Sequence, residues 1–238
     1  MINIKRSYPA PESLEIEKNK ELNGIKKDGS YKCDDVIRQL GNDSRKKCYI
    51  CETNTNNFQV EHLKSHKGDI DLKFDWDNLF LACGHCNNIK NKFYDDILDC
   101  TKEDVESKIR YKMDAFPGAE VYIYPLSDDF ETMQTVDLLQ KCYNGTTELK
   151  KLDSENIREE IMNTILEFRE LIIEYINIKK YEDGDPDDLN IIIRKIKRAL
   201  HPESKYPSFK RWIIKDSKFL SEELGQYIPT IERETEYA

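Results

Sequence analysis

Two Cys-x2-Cys pairs, Cys48/Cys51 and Cys83/Cys86, constrain this chain more than any other feature. Thiols spaced in this way form two knuckles, and two knuckles close one tetrahedral site of four thiolates. Such a site suits structural zinc: every coordination position is filled, so the metal folds its surroundings instead of reacting. The residues between the pairs must therefore return on themselves as a compact unit. Disulfides are the competing use of paired cysteines. The opening Met1-Ile-Asn-Ile-Lys-Arg6 has no apolar secretory segment, which points to a reducing, cytoplasmic setting and so to metal. Cys33, Cys100 and Cys142 have no partner spacing and read as buried thiols.

Phe58-Gln-Val-Glu-His62 alternates as a strand does, Leu63 to Asp75 is a loop containing Gly68, and Leu79-Phe-Leu81 is a short apolar strand. From Gly84 to Tyr94 the pattern turns helical. The first 30 residues hold Pro9, Pro11, Gly24 and Gly29 and read as an extended arm, followed by a short helix from Cys33 to Leu40 that stops at Gly41. Residues 102–113 read as a charged helix ending before Pro117, and Ala119 to Tyr124 as a strand. Helices follow over 130–142, 157–176 and 189–200. In the middle one, Ile157, Ile161, Ile165, Phe168, Ile172 and Ile176 recur every three to four residues. The acidic linker at 182–188 separates the last two. The fold class is α+β: a zinc-stapled ββα module at 45–94, preceded by an arm at 1–44 and followed by a mainly α-helical region at 95–238.

A net charge of -9 excludes a protein that simply coats nucleic acid. The acidity is uneven: residues 45–93 carry 8 basic and 6 acidic side chains, whereas 117–238 carry 17 and 25. No stretch approaches the roughly 20 apolar residues of a membrane span. The stretch Arg194–Lys218 interleaves 9 basic residues with Tyr206, Phe209 and Trp212. That composition fits a nucleic-acid track, but the better reading is a basic face turned to acidic groups of the same chain or a partner.

Between and just after the cysteine pairs stand Glu61, His62, Asn78 and Asn87. A carboxylate such as Glu61 and an amide oxygen such as that of Asn87 suit a hard cation, Mg²⁺ or Mn²⁺. A neutral imidazole at His62 can take a proton from an attacking water, and Asn78 can hold the loop bearing it. Successive strand residues point to opposite faces, so Glu61 and His62 share a site only across a kink. Taken singly, each has a bland use: a surface charge, a loop histidine, a turn asparagine, a helix cap.

Their order resembles the HNH endonuclease family, built on the ββα-metal finger. The resemblance implies that His62 is the general base, Asn78 the asparagine that orients it, and Asn87 and Glu61 the ligands of a catalytic divalent cation, with zinc held by the four cysteines. Many members carry Asp where Glu61 stands and His where Asn87 stands. The phrases Ile4-Lys-Arg-Ser-Tyr-Pro-Ala-Pro11, Val60-Glu-His-Leu-Lys-Ser-His66, Phe74-Asp-Trp-Asp-Asn-Leu-Phe80 and Pro207-Ser-Phe-Lys-Arg-Trp-Ile213 are similar to the PtuB-type HNH subunit of Septu anti-phage systems. That likeness implies an ABC-type ATPase as partner and a role in bacterial defence against phage. DNA is the substrate expected of the nuclease, and the lack of a long apolar stretch argues against a membrane. His66, Lys90, Asn91 and Lys92 are further candidates for substrate contact, while His85, between the second cysteine pair, reads as exposed. Two other classes stay open: an RNA-cleaving enzyme, and a zinc-stapled module that binds without cutting.

Overall fold

A computed structural model describes residues 1–54, 56–180 and 186–229. Most of the acidic linker at 182–188 falls outside them. At the centre, Phe58–His62 (β1) pairs antiparallel with Leu79–Cys83 (β2), which runs into the helix Gly84–Lys90 (α4). Val60 stands opposite Leu81, Glu61 opposite Phe80 and His62 opposite Leu79. Directly opposed residues share a face of a hairpin. One face thus carries Val60, His62, Leu79 and Leu81; the other carries Gln59, Glu61, Phe80 and Ala82.

The two faces pack against different parts of the chain. Val60, Leu79 and Leu81 lie against Leu14, Val36 and Leu40 of the N-terminal arm. The arm is not extended: it forms helices Glu12–Leu22 (α1) and Asp34–Asp43 (α2), the second running past Gly41. Only Leu14 and Glu17 of α1 are buried, so its apolar periodicity is too weak to read in the sequence. A one-turn helix, Ile70–Lys73 (α3), sits in the long connection between the strands. Phe80 and Ala82, on the other face, join a core that also holds the four cysteines, Leu138, Tyr143, Ile161 and Phe209.

The charged segment 102–113 is mostly not helical. After one turn at Val105–Lys108 (α5) it becomes Ile109–Met113 (β3), paired with Val121–Pro125 (β4). Ile109, Tyr111 and Met113 are buried while Arg110 and Lys112 face outward, so a period of two wins over the helix preference of the charged residues. The other strand, expected at 119–124, is β4.

Five helices complete the described chain: Phe130–Asn144 (α6), Glu148–Lys180 (α7), Pro186–Leu200 (α8), Pro207–Lys215 (α9) and Lys218–Leu224 (α10). Phe168 and Ile172 of α7 meet Ile192 and Ile196 of α8. The aromatic part of the basic stretch is core, while Arg194, Lys195, Arg198 and Lys205 stay exposed. Tyr206 and Phe209 are almost fully buried, Arg211 pairs with buried Glu106, and Lys215 reaches the same carboxylate at 2.9 Å. No described helix is long and apolar enough to cross a membrane.

Candidate functional site

The four cysteine sulfurs converge: all lie within 4.8 Å of one another and all four residues are buried. Cys51 Sγ and Cys83 Sγ are 3.8 Å apart. Thiolates about 2.3 Å from a tetrahedral zinc lie about 3.8 Å from each other, so the donor set fits zinc with little adjustment. The Cys86 N–H donates to Cys83 Sγ at 3.4 Å, the knuckle geometry expected where a strand turns into a helix. Burial pushes the Cys86 thiol well up, and the neighbouring Cys142 thiol hydrogen-bonds to it. His85 is not exposed. Its Nε2 meets the Cys142 carbonyl at 2.8 Å and its Nδ1 lies 3.3 Å from Asp153, so it ties α4 to α6 and α7 and is no zinc ligand.

His62 closes β1 on the face that meets the arm, where it is 8% exposed. Its Nε2 lies 3.0 Å from the Lys73 carbonyl at the end of α3. A carbonyl only accepts, so Nε2 must carry the proton and Nδ1 keeps a basic lone pair. Burial pushes His62 down to about 4, with Lys32 and His66 adding to the shift, so the ring is neutral at neutral pH. Tyr31, from the loop between α1 and α2, stands edge-on to the ring with centroids 4.5 Å apart, and the His66 ring lies 4.9 Å away. His66 Nδ1 accepts from the Gly68 N–H at 3.2 Å, which leaves its Nε2 turned away from that bond.

Asn78 staples the loop that frames His62. Its Oδ1 accepts from the Lys64 N–H at 2.8 Å, and its Nδ2 donates to the carbonyls of Lys64 and Leu72 at 2.9 and 3.0 Å. One buried amide therefore holds the chain two residues after His62 and one residue before Lys73. Asn78→Ala leaves those backbone groups unpaired, at about 1–3 kcal/mol for each that stays dry. The expected result is faster hydrogen exchange at the Lys64 amide with the zinc content unchanged. Unaltered exchange would contradict the stapling role.

Glu61 faces away from His62, under α4. Lys90 Nζ lies 2.8 Å from its Oε1, and the Tyr49 hydroxyl donates to its Oε2 at 3.0 Å. Burial raises the Glu61 carboxyl, and Lys90 and Tyr49 pull it back. Lys90 is fully buried, which corrects the expectation that it meets a DNA backbone. Asn87 lies on the same side, its Nδ2 donating to Gln59 Oε1 at 2.5 Å. Asn91 does not continue the face of Asn87: α4 ends at Lys90 and Asn91 turns to φ 43°. Lys92 is exposed, as expected of a phosphate contact. At the divalent-cation site expected at Glu61 and Asn87, each oxygen of the carboxylate already accepts a hydrogen bond, one from Lys90 and one from Tyr49. The four cysteines are the single group of three or more potential acidic, cysteine or histidine ligands among the described residues.

An antiparallel hairpin and a helix, with four converging cysteines able to hold zinc and a neutral histidine at the end of the first strand, define a ββα-type module. Residues 48–93 match the model of the HNH endonuclease family, whose members hydrolyse phosphodiester bonds with divalent metals. No curated protein matches the chain. Sequence reasoning missed three participants: Tyr31, Tyr49 and the Lys73 carbonyl. The first two come from distant or bland segments, and a backbone carbonyl has no sequence signal at all.

Proposed function

We propose that this chain hydrolyses phosphodiester bonds of DNA with His62 as general base, as the nuclease subunit of a bacterial anti-phage complex that includes an ABC-type ATPase. The observation that carries the hydrolytic part is the Nε2 bond of His62 to an acceptor-only carbonyl. It directs the basic Nδ1 away from the Lys73 carbonyl, in a ring kept neutral by burial. His62 Nδ1 takes the proton of the attacking water, and Asn78 keeps the loop, and so the ring, in register. Lys32, Lys64 and Lys92 are exposed on the segments around this histidine and supply positive charge that the chain as a whole lacks. The DNA substrate rests on the resemblance to HNH endonucleases, and the defence role and the ATPase on the likeness of four phrases, two of them inside the module, to Septu subunits.

The test is a direct comparison of duplex DNA and RNA as substrates for the zinc-loaded chain, alone and with the co-expressed ATPase. DNA cleavage that rises with the ATPase present is expected. Cleavage confined to RNA would replace DNA as the substrate, and binding of either without cleavage would favour a zinc-stapled binding module.

A further inference from the structure

The carboxylate that the sequence offers to a metal already has a cation, and that cation also grips the base. Lys90 Nζ donates to Glu61 Oε1 at 2.8 Å and to the His62 carbonyl oxygen at 2.9 Å. The side chains of Lys90 and Glu61 are 0% and 7% exposed. We infer that Lys90 is the standing cation of Glu61 and that the pair is a positioning clamp for His62, so that Glu61 is not a ligand of a divalent ion in the working protein.

Three observations converge on this. Glu61 lies on the hairpin face toward α4, whereas His62 lies on the face toward the arm. Both Glu61 oxygens are engaged, one by the ammonium and one by the Tyr49 hydroxyl. A hard cation such as Mg²⁺ binds with several of its waters, for which a contact between hairpin and helix buried to 0% and 7% exposure leaves little room. Removing a buried ammonium from its carboxylate would strand a charge on each side. The clamp also has a geometric consequence. Lys90 holds the backbone carbonyl of His62 from one side while the Lys73 carbonyl holds the ring Nε2 from the other. His62 is fixed at two points, and Lys90 acts through it without touching substrate.

The positioning part rests on His62 being the base; the metal part does not. Both are tested on the full, zinc-loaded chain. In an electron paramagnetic resonance titration with Mn²⁺, wild type and Glu61→Gln should bind alike within about twofold, including the case where neither binds. A weakening of about tenfold or more in Glu61→Gln would make Glu61 a metal ligand and overturn the inference. In nitrogen NMR of labelled histidine, the His62 Nε2 proton should be protected in wild type and in Lys90→Arg. It should exchange at least about tenfold faster in Lys90→Met. Equal protection in a folded Lys90→Met protein would sink the clamp. If that single variant does not fold, Glu61→Gln/Lys90→Met removes both charges together and takes its place, with the same two outcomes. Neither readout uses cleavage, so an inactive chain would count against the nuclease reading and not against the clamp.

Discussion

Cys86→Ser is expected to release zinc and to unfold the hairpin and α4 together. Cys86 is fully buried, and its sulfur is one of four that converge in the core. A hydroxyl in its place neither ionises near neutral pH nor binds zinc as a thiolate does, and three buried thiolates would be left around a weakly held ion. Structural zinc contributes about 10–16 kcal/mol in small zinc modules, comparable to the whole stability of a typical domain at about 5–15 kcal/mol. The damage should spread, because the cysteines share their core with Leu138, Tyr143, Ile161 and Phe209. Native mass spectrometry should show loss of the zinc, and near-ultraviolet circular dichroism the loss of a cooperative melt. Cys142→Ala, which removes a thiol beside the site but no ligand, should keep the metal. A Cys86→Ser protein that melts as wild type without zinc would refute the structural role of the metal.

His62→Ala should cost about 10² to 10⁴ in cleavage rate, the usual contribution of a positioned general base. The structural cost is smaller. The substitution leaves the Lys73 carbonyl without its ring donor, at about 1–3 kcal/mol, and removes part of the contact with Tyr31. A rate loss in that range, in a protein whose melt falls by only a few degrees, therefore reports chemistry rather than folding.

How legible the fold was depended on the range of the information. The four-cysteine cluster was plain because two local spacings specify it; β1 and the α7 stripe followed from their periods of two and three to four, and β2 from a short apolar run. The arm was misread because α1 buries almost nothing along its length, and β3 because Arg110 and Lys112 masked the alternation of Ile109, Tyr111 and Met113. At the candidate site, Asn78 was identified with its task, the holding of the loop. Glu61 and Asn87 were read as metal ligands, and their hydrogen-bond partners in the fold, Lys90, Tyr49 and Gln59, were not foreseen. Residue type alone cannot show that a carboxylate faces a lysine on the neighbouring helix, and the lysine was read as a contact to substrate. The aromatic residues of α9 show the same limit: composition fitted a nucleic-acid track less well than a basic face paired with acidic groups, and packing put the aromatic rings inside.

The most direct measurement is the single-turnover cleavage of duplex DNA by zinc-loaded wild type and His62→Ala, with equal zinc content confirmed and both proteins folded at the assay temperature. The wild type should cut and the variant should be slower by at least about a hundredfold. Equal rates in the two folded, zinc-loaded proteins would contradict the assignment of His62 and with it the account of this site.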